Sequence, residues 1–254
     1  MDQSVRRDRV DVLGVELDPL TEREVVSIVE QSIDRDERVR IGVVNAAKVI
    51  AMRSSELLRD DVQLSDLVLA DGMSVVWASR LLGSALPERV AGIDLMFDFL
   101  ALADRRGWRV YCLGATEEVS ATIEANIARD YPGAVLAGRR NGYFTDGEAP
   151  EVARAIAEAR PHFLFVAMTT PKKENFMGRF WDDMGVPIVH GVGGSFDVYA
   201  GLVERAPESW QRLGLEWLYR VKQEPGRLWK RYAKTNLQFL WLVLKALIAR
   251  PFRR

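Results

Sequence analysis

The sequence predicts an α/β fold: a Rossmann-like, mostly parallel sheet with helices on both faces, extended by a C-terminal helical, membrane-associating appendage. Three observations carry that expectation. Short apolar runs, greasy on both sides, alternate with helical patterns through most of the chain, as strands buried on both faces require. With 254 residues, 48% hydrophobic and 28% charged, the chain has the balance of a globular protein able to bury a substantial core, which excludes disordered and collagen-like classes. Finally, the net charge of −1 hides an asymmetry: residues 205–254 hold twelve Lys/Arg against three acids, a net +9, leaving −10 for the rest.

Taken in order, residues 10–17 alternate around Gly14 as a hairpin or edge strand. After Pro19, Thr21-Glu22-Arg23-Glu24 is a capping-box pattern that opens an amphipathic helix to about Asp34. Strands are expected at 39–44, 67–70, 109–113, 134–137, 163–168 and 187–190. Helices are expected near 46–60, 73–82, 93–106, 116–130, 148–159 and 172–184, and the tail reads as two helices split at Glu224-Pro225-Gly226. The domain division is a core over 1–203 and an appendage over 204–254, with no internal repeat. The single cysteine, Cys112, suits a reducing compartment. His162 and His190 lie too far apart in sequence to suggest a His-rich metal site. Residues 1–11 are polar and charged, unlike a signal peptide, so the expected location is cytoplasmic.

Ligands of open parallel sheets sit beyond the carboxyl ends of the strands, so polar residues closing a strand are the candidates. Asp71, in Ala70-Asp71-Gly72, is placed for a general base, and burial there would raise its pKa; capping the next helix is the alternative. Gly191, Gly193 and Gly194 follow another strand and could turn backbone N–H groups toward a phosphate, although the third glycine of a dinucleotide fingerprint is missing. Turn chemistry explains them equally well. Lys172 and Lys173, after Pro171, place two cations at a helix start where the dipole opposes them, a conflict that an anionic ligand relieves. Arg89 precedes Gly92 and Asp94; Asp94 reads as an N-cap, and Arg89 as a phosphate contact or an exposed side chain. Asp34-Arg35-Asp36, the one D-x-D, lies at the wrong end of the sheet and reads as a solvated turn.

In the last helix Arg227, Arg231, Lys234, Gln238 and Lys245 fall within about 40° of one line at 100° per residue. Most other positions from Leu237 to Ala249 are apolar, in stretches too short for a span of about 20 residues. A basic stripe beside Trp, Phe and Leu suits a helix lying in a membrane interface, with Arg250, Arg253 and Arg254 favouring anionic lipid; packing of that face on the body is the alternative.

These segments resemble the bacterial WecG/TagA/CpsF glycosyltransferases (glycosyltransferase family 26) over roughly residues 10–235. The most specific stretch runs from Gly191 through Gly193-Gly194-Ser195-Phe196-Asp197 to Gly201, then Arg205-Ala206-Pro207, Trp210, Gly214-Leu215-Glu216-Trp217-Leu218, Arg220, Glu224-Pro225, Arg227 and Tyr232. Asn45, Ala70-Asp71-Gly72, Arg89-Val90-x-Gly92-x-Asp94 and Pro171-Lys172-x-Glu174 fit in order. The resemblance implies an inverting transfer of a hexose, N-acetylhexosamine or uronic acid from a UDP-sugar to a polyprenyl-diphosphate-linked saccharide, without metal or other cofactor. The setting implied is the inner face of the cell membrane, in surface-polysaccharide or wall-polymer synthesis, with no nucleic acid as partner and a homo-oligomer left open. It assigns Asp71 as base, with Asn45, Arg89, Lys172, Lys173, Gly191, Gly193, Gly194, Asp197, Arg220, Arg227 and Lys230 at the substrates. The chain departs from the family pattern at Val43, where Thr is frequent, at Lys173, where Gln is usual, and at Lys230, where Arg is common. A non-catalytic subunit binding a nucleotide-sugar or lipid-linked saccharide is the alternative function. A nucleic-acid binder using the basic tail is disfavoured by the tail's broad apolar face.

Overall fold

The computed structural model describes residues 8–249, without the side chains of Arg227 and Arg231. Arg250, Arg253 and Arg254, expected to favour anionic lipid, and the side chains of Arg227 and Arg231, expected on the basic stripe, lie outside what is described. The chain opens with a two-stranded antiparallel ribbon, β1 (Val10–Val12) and β2 (Val15–Leu17), followed by α1 (Glu22–Asp34). Thr21 and Glu24 close the expected capping box on α1. Then come β3 (Val39–Val44), α2 (Ala46–Met52), α3 (Glu56–Gln63), β4 (Leu67–Ala70), α4 (Met73–Leu81) and α5 (Gly92–Arg106). Next are β5 (Arg109–Gly114), α6 (Glu117–Asp130), β6 (Val135–Arg140), α7 (Ala149–Ala159), β7 (Phe163–Ala167), α8 (Lys172–Arg179) and α9 (Trp181–Met184). The chain ends in β8 (Ile188–Gly191), α10 (Ser195–Tyr199), α11 (Glu208–Arg212), α12 (Glu216–Gln223) and α13 (Pro225–Ala249).

The strands from β3 onward form one six-stranded parallel sheet in the order β4-β3-β8-β7-β5-β6, so every carboxyl end lies on one rim. The chain is thus the Rossmann-like α/β protein that its apolar runs predict. Period-two alternation sorts the strand side chains by face. Ile41, Val43, Leu69, Cys112, Phe163 and Phe165 join α1, α5 and α6 in one continuous core. The opposite face carries two separate apolar clusters. One joins Val44, Val68 and Ala70 to the ribbon, α2, α3, α4 and Phe239 and Val243 of α13; the other joins Leu113, Leu164, Val166 and Val189 to α7, α8 and α9. Between these clusters runs a polar seam holding buried Arg40, Lys48, Lys173 and Glu174.

Two expected helices are each broken in two. Ser55 accepts the Leu58 N–H through its side chain and starts α3 afresh after α2, and the run 172–184 divides at Phe180. Asp34 pairs with Arg106 on α5, and Asp36 has a positive φ of 58°, the turn expected at the amino end of β3. In the tail Pro225 opens α13, with its missing N–H at a position where no helical bond would form.

Candidate functional site at the carboxyl rim

Asp71 follows the last residue of β4 and prolongs the ladder by donating its N–H to the Val44 carbonyl at 2.9 Å. Its side chain does not cap α4, whose N-cap is Gly72; instead Oδ1 accepts the Gly92 N–H at 3.0 Å. The Gly92 carbonyl in turn meets His190 Nε2 at 2.9 Å. His190 is fully buried, and burial pushes its pKa down to about 4, so the neutral ring donates from Nε2. One residue, Gly92, therefore stands between Asp71 and a buried histidine on β8, bonded to the first through its N–H and to the second through its carbonyl. Asp71 itself is half-buried, and burial raises its carboxyl pKa, partly offset by the Gly92 N–H and by Arg89 and Lys48, while Glu216 adds to the rise.

Asn45 leaves the end of β3 as the N-cap of α2, its Oδ1 accepting the Lys48 N–H at 3.1 Å. A Cβ on Gly72 would come within 3.3 Å of Asn45 Cβ, so these two strand ends abut and Gly72 lets them do so. Below them lies the polar seam. Glu174 Oε1 accepts from Lys48 Nζ at 2.8 Å and Thr170 Oγ1 at 3.1 Å, with Lys173 Nζ at 3.5 Å. Against burial, which pushes its carboxyl up, the two ammonium groups hold Glu174 at about 2. Burial, then repulsion from Lys48, pulls Lys173 down to about 8.

The glycine turn packs closely on Lys173. The Val192 and Gly193 N–H groups both bond to the Val166 carbonyl, at 3.0 and 3.3 Å, so only the Gly194 N–H is left of the expected phosphate cradle. A Cβ at Gly191 would lie 2.9 Å from Lys173 Cδ, and Gly193 has φ +55°. Glycine is needed at the first for the close approach and at the second for the backbone. The two lysines also part. Lys172 Nζ donates to the Gly142 and Phe144 carbonyls at 3.0 and 2.9 Å and stacks over the Phe144 ring, away from Asp71. Carbonyls answer the charge of Lys172 at this helix start, and Glu174 that of Lys173.

The tail meets the same rim. Glu216 of α12 accepts from Arg89 Nη1 at 2.8 Å and lies 3.7 Å from Arg220 Nη2. Asp94, in the first turn of α5 and not its N-cap, pairs with Arg205 at 2.6 Å and Arg89 at 3.7 Å. A Cβ at Gly194 would lie 3.7 Å from Arg220 Nη1 and 3.9 Å from Asp197 Oδ2, which brings both beside the glycine turn. Gly214 seats the tail on α4, where a Cβ would be 2.7 Å from Met73 Cβ and the Trp77 ring. Lys230 is exposed on α13.

The sequence reading missed Lys48, Arg205, Glu216 and His190. A signal existed for two: Lys48 sits in the first turn after the strand-closing Asn45, and Glu216 lies four residues before Arg220 on one helix. His190 had none, because it meets Asp71 only through Gly92. Among the described residues no group of three or more His, Cys, Asp or Glu is gathered as metal ligands would be.

The fold is an α/β protein whose parallel-sheet rim, the place where such sheets hold ligands, collects a carboxylate of raised pKa, two buried lysines and arginines of the tail. The sequence model of the Glycosyl transferase WecG/TagA/CpsF family matches residues 10–253, and the chain belongs to that family. It is 38% identical over 191 residues to an N-acetylglucosaminyldiphosphoundecaprenol N-acetyl-beta-D-mannosaminyltransferase of Bacillus spizizenii, covering 74% of this chain and 73% of the relative. A Bacillus subtilis protein of the same description is 36% identical over 199 residues, covering 78% and 77%.

Proposed function

We propose that the chain is an inverting, metal-independent glycosyltransferase that moves a sugar from a UDP-sugar to a polyprenyl-diphosphate-linked saccharide at the inner face of the cell membrane. The observation that carries this reading is Asp71, a carboxylate at the sheet rim whose pKa is raised and whose Oδ1 is fixed by the Gly92 N–H. Its second oxygen takes the proton of the acceptor hydroxyl while that oxygen attacks the anomeric carbon. The bond from that carbon to the UDP oxygen breaks, and the electron pair leaves with the diphosphate. Arg89, Arg220, Lys173 and the Gly194 N–H are the nearby groups suited to the growing negative charge, with Asn45 beside the base and Asp197 beside the turn. The relatives' description names a diphosphoundecaprenol-linked N-acetylglucosamine, which supports a lipid-linked acceptor here.

Residues 204–254 act in this reading as the membrane-binding appendage. Leu228, Phe239 and Val243 of α13 are buried, whereas Trp229, Leu237, Leu240, Trp241, Leu244 and Ile248 are exposed on its other side, next to the basic positions Lys234 and Lys245. Packing on the body and an open apolar face thus share one helix. No helix among the described residues is long and apolar enough to cross a membrane. The test is a screen of UDP-hexoses, UDP-N-acetylhexosamines and UDP-uronic acids against a short-chain polyprenyl-diphosphate-linked sugar, with released UDP as the readout. Turnover of one donor that disappears in Asp71→Asn is expected. Binding without turnover for every donor would instead identify a non-catalytic subunit.

A further inference from the structure

We infer that Glu216 is the protein's own occupant of a diphosphate subsite: its carboxylate bridges Arg89 and Arg220, and an incoming diphosphate takes its place. This rests on the reading that the rim binds a nucleoside diphosphate. Three features support it.

Glu216 occupies the two arginines that stand nearest the reaction. Its two oxygens serve one each, Oε2 toward Arg89 and Oε1 toward Arg220, which is how a diphosphate with oxygens on both phosphorus atoms would sit. Arg220 is also the guanidinium closest to Gly194, and Arg89 is one of the two cations that lower the Asp71 pKa. Two cavities of the protein are not lined by Asp71. One is a void of about 10 Å³ beneath Gly42 and Gly191, and the other is a cleft of about 270 Å³ near Phe144 and Arg179 on the far side of α8.

The contact is poorly suited to be permanent. Glu216 sets a carboxylate near a half-buried carboxylate and pushes the Asp71 pKa further up, which opposes ionisation of the base. The other groups acting on Asp71 are Arg89 from the loop before α5, Lys48 from α2 and the Gly92 N–H, and Lys173 of α8 senses it in turn.

Release of Glu216 leaves Arg89 a partner and frees Arg220 for the incoming anion. Asp94 still pairs with Arg89 and Arg205, so the half-buried Arg89 guanidinium keeps a counter-charge. The tail keeps anchors on the body that do not involve Glu216, namely Gly214 on Met73 and Trp77 and the burial of Phe239 and Val243 in the α2 cluster, and within it the Tyr219 hydroxyl donates to Glu204 at 2.7 Å and Gln223 bonds twice to the Glu204 backbone. Glu216 is therefore a positioning residue that keeps the two arginines aimed and desolvated until a stronger anion arrives.

Calorimetric titration of the full chain with UDP, and separately with inorganic pyrophosphate, tests this on wild type, Glu216→Gln and Glu204→Gln. Removing the internal competitor should tighten both probes about tenfold in Glu216→Gln and move the acid limb of the turnover profile to lower pH. Glu204→Gln removes a carboxylate charge from the tail and swaps the Tyr219 hydroxyl's charged acceptor for a neutral one without touching the arginines, and should leave the affinities equal or weaker. Equal or weaker binding in a folded Glu216→Gln, with a wild-type melting temperature, would show Glu216 to be an anchor and overturn the inference. Tighter pyrophosphate binding with no UDP binding in any variant would uphold the exchange and reject UDP as the donor nucleotide. Wild type and Glu216→Gln both binding neither probe would overturn both readings.

Discussion

Asp71→Asn removes one proton site and keeps the shape around it. The Asn Oδ1 can still accept the Gly92 N–H, now 3.0 Å from the Asp oxygen, so the link through Gly92 to His190 persists. A positioned general base contributes about 10²- to 10⁴-fold, or roughly 2.7–5.4 kcal/mol of barrier, and that is the loss expected in kcat. Stability should move the other way. Because the folded-state pKa of Asp71 is raised, the native protein binds more protons than the unfolded chain in the window between the ordinary carboxylate value and the raised one. Wild-type stability therefore falls as pH rises through that window, and the Asn variant lacks this loss. The variant should match wild type at acid pH and exceed it at pH 8, by urea denaturation at both. The wild-type rate should fall as pH drops through a value above the usual carboxylate range. Activity within a few-fold of wild type, or a variant less stable at both pH values, would refute the assignment.

Three further outcomes follow from the same geometry. Lys173, with its pKa near 8, should lose its charge as pH rises past that point and give UDP binding an alkaline limb there; Lys173→Gln should abolish the limb. The sign for stability is opposite to that of Asp71: a lowered lysine pKa makes the native state bind fewer protons than the unfolded chain, so its contribution improves as pH rises from about 8 toward 10.5. Phe239→Ala empties the main contact of α13 on the α2 cluster and should cost about 3 kcal/mol, with faster hydrogen exchange across 225–249 than in the sheet. Leu240→Glu with Trp241→Glu alters side chains that are 64% and 63% exposed, so the melting temperature should hold while binding to anionic vesicles drops more than tenfold.

Strand bounds are most legible where the strand is a short run buried on both faces: 39–44 and 67–70 appear with the same ends, whereas the partly exposed edge strand β6 runs over 135–140 against the expected 134–137. The first helix was legible from its capping box alone. Helix continuity was less so. The breaks near Ser55 and Phe180 depend on which local cap wins against the apolar period, and both alternatives satisfy the same pattern. At the rim, the positions of Asn45 and Asp71 were readable as strand-closing polar residues. Their partners were not: adjacent lysines look alike in sequence, yet at about 100° per residue one turns to the Phe144 loop and the other to Glu174. Asp94 looked like a cap because it precedes a helical run, and only the approach of the tail makes it the partner of Arg205.

The sequence by itself determined the layers, the parallel sheet, the rim that carries the polar residues and the amphipathic character of the tail, since all of these follow from local periodicity and from where polarity interrupts it. Tertiary structure decided which charges neutralise which, Lys48 on Glu174 and Glu216 on Arg89, and set Gly92 between Asp71 and His190. Such pairings join residues as much as 127 positions apart, and Coulomb energies depend on distance and burial that no linear pattern encodes.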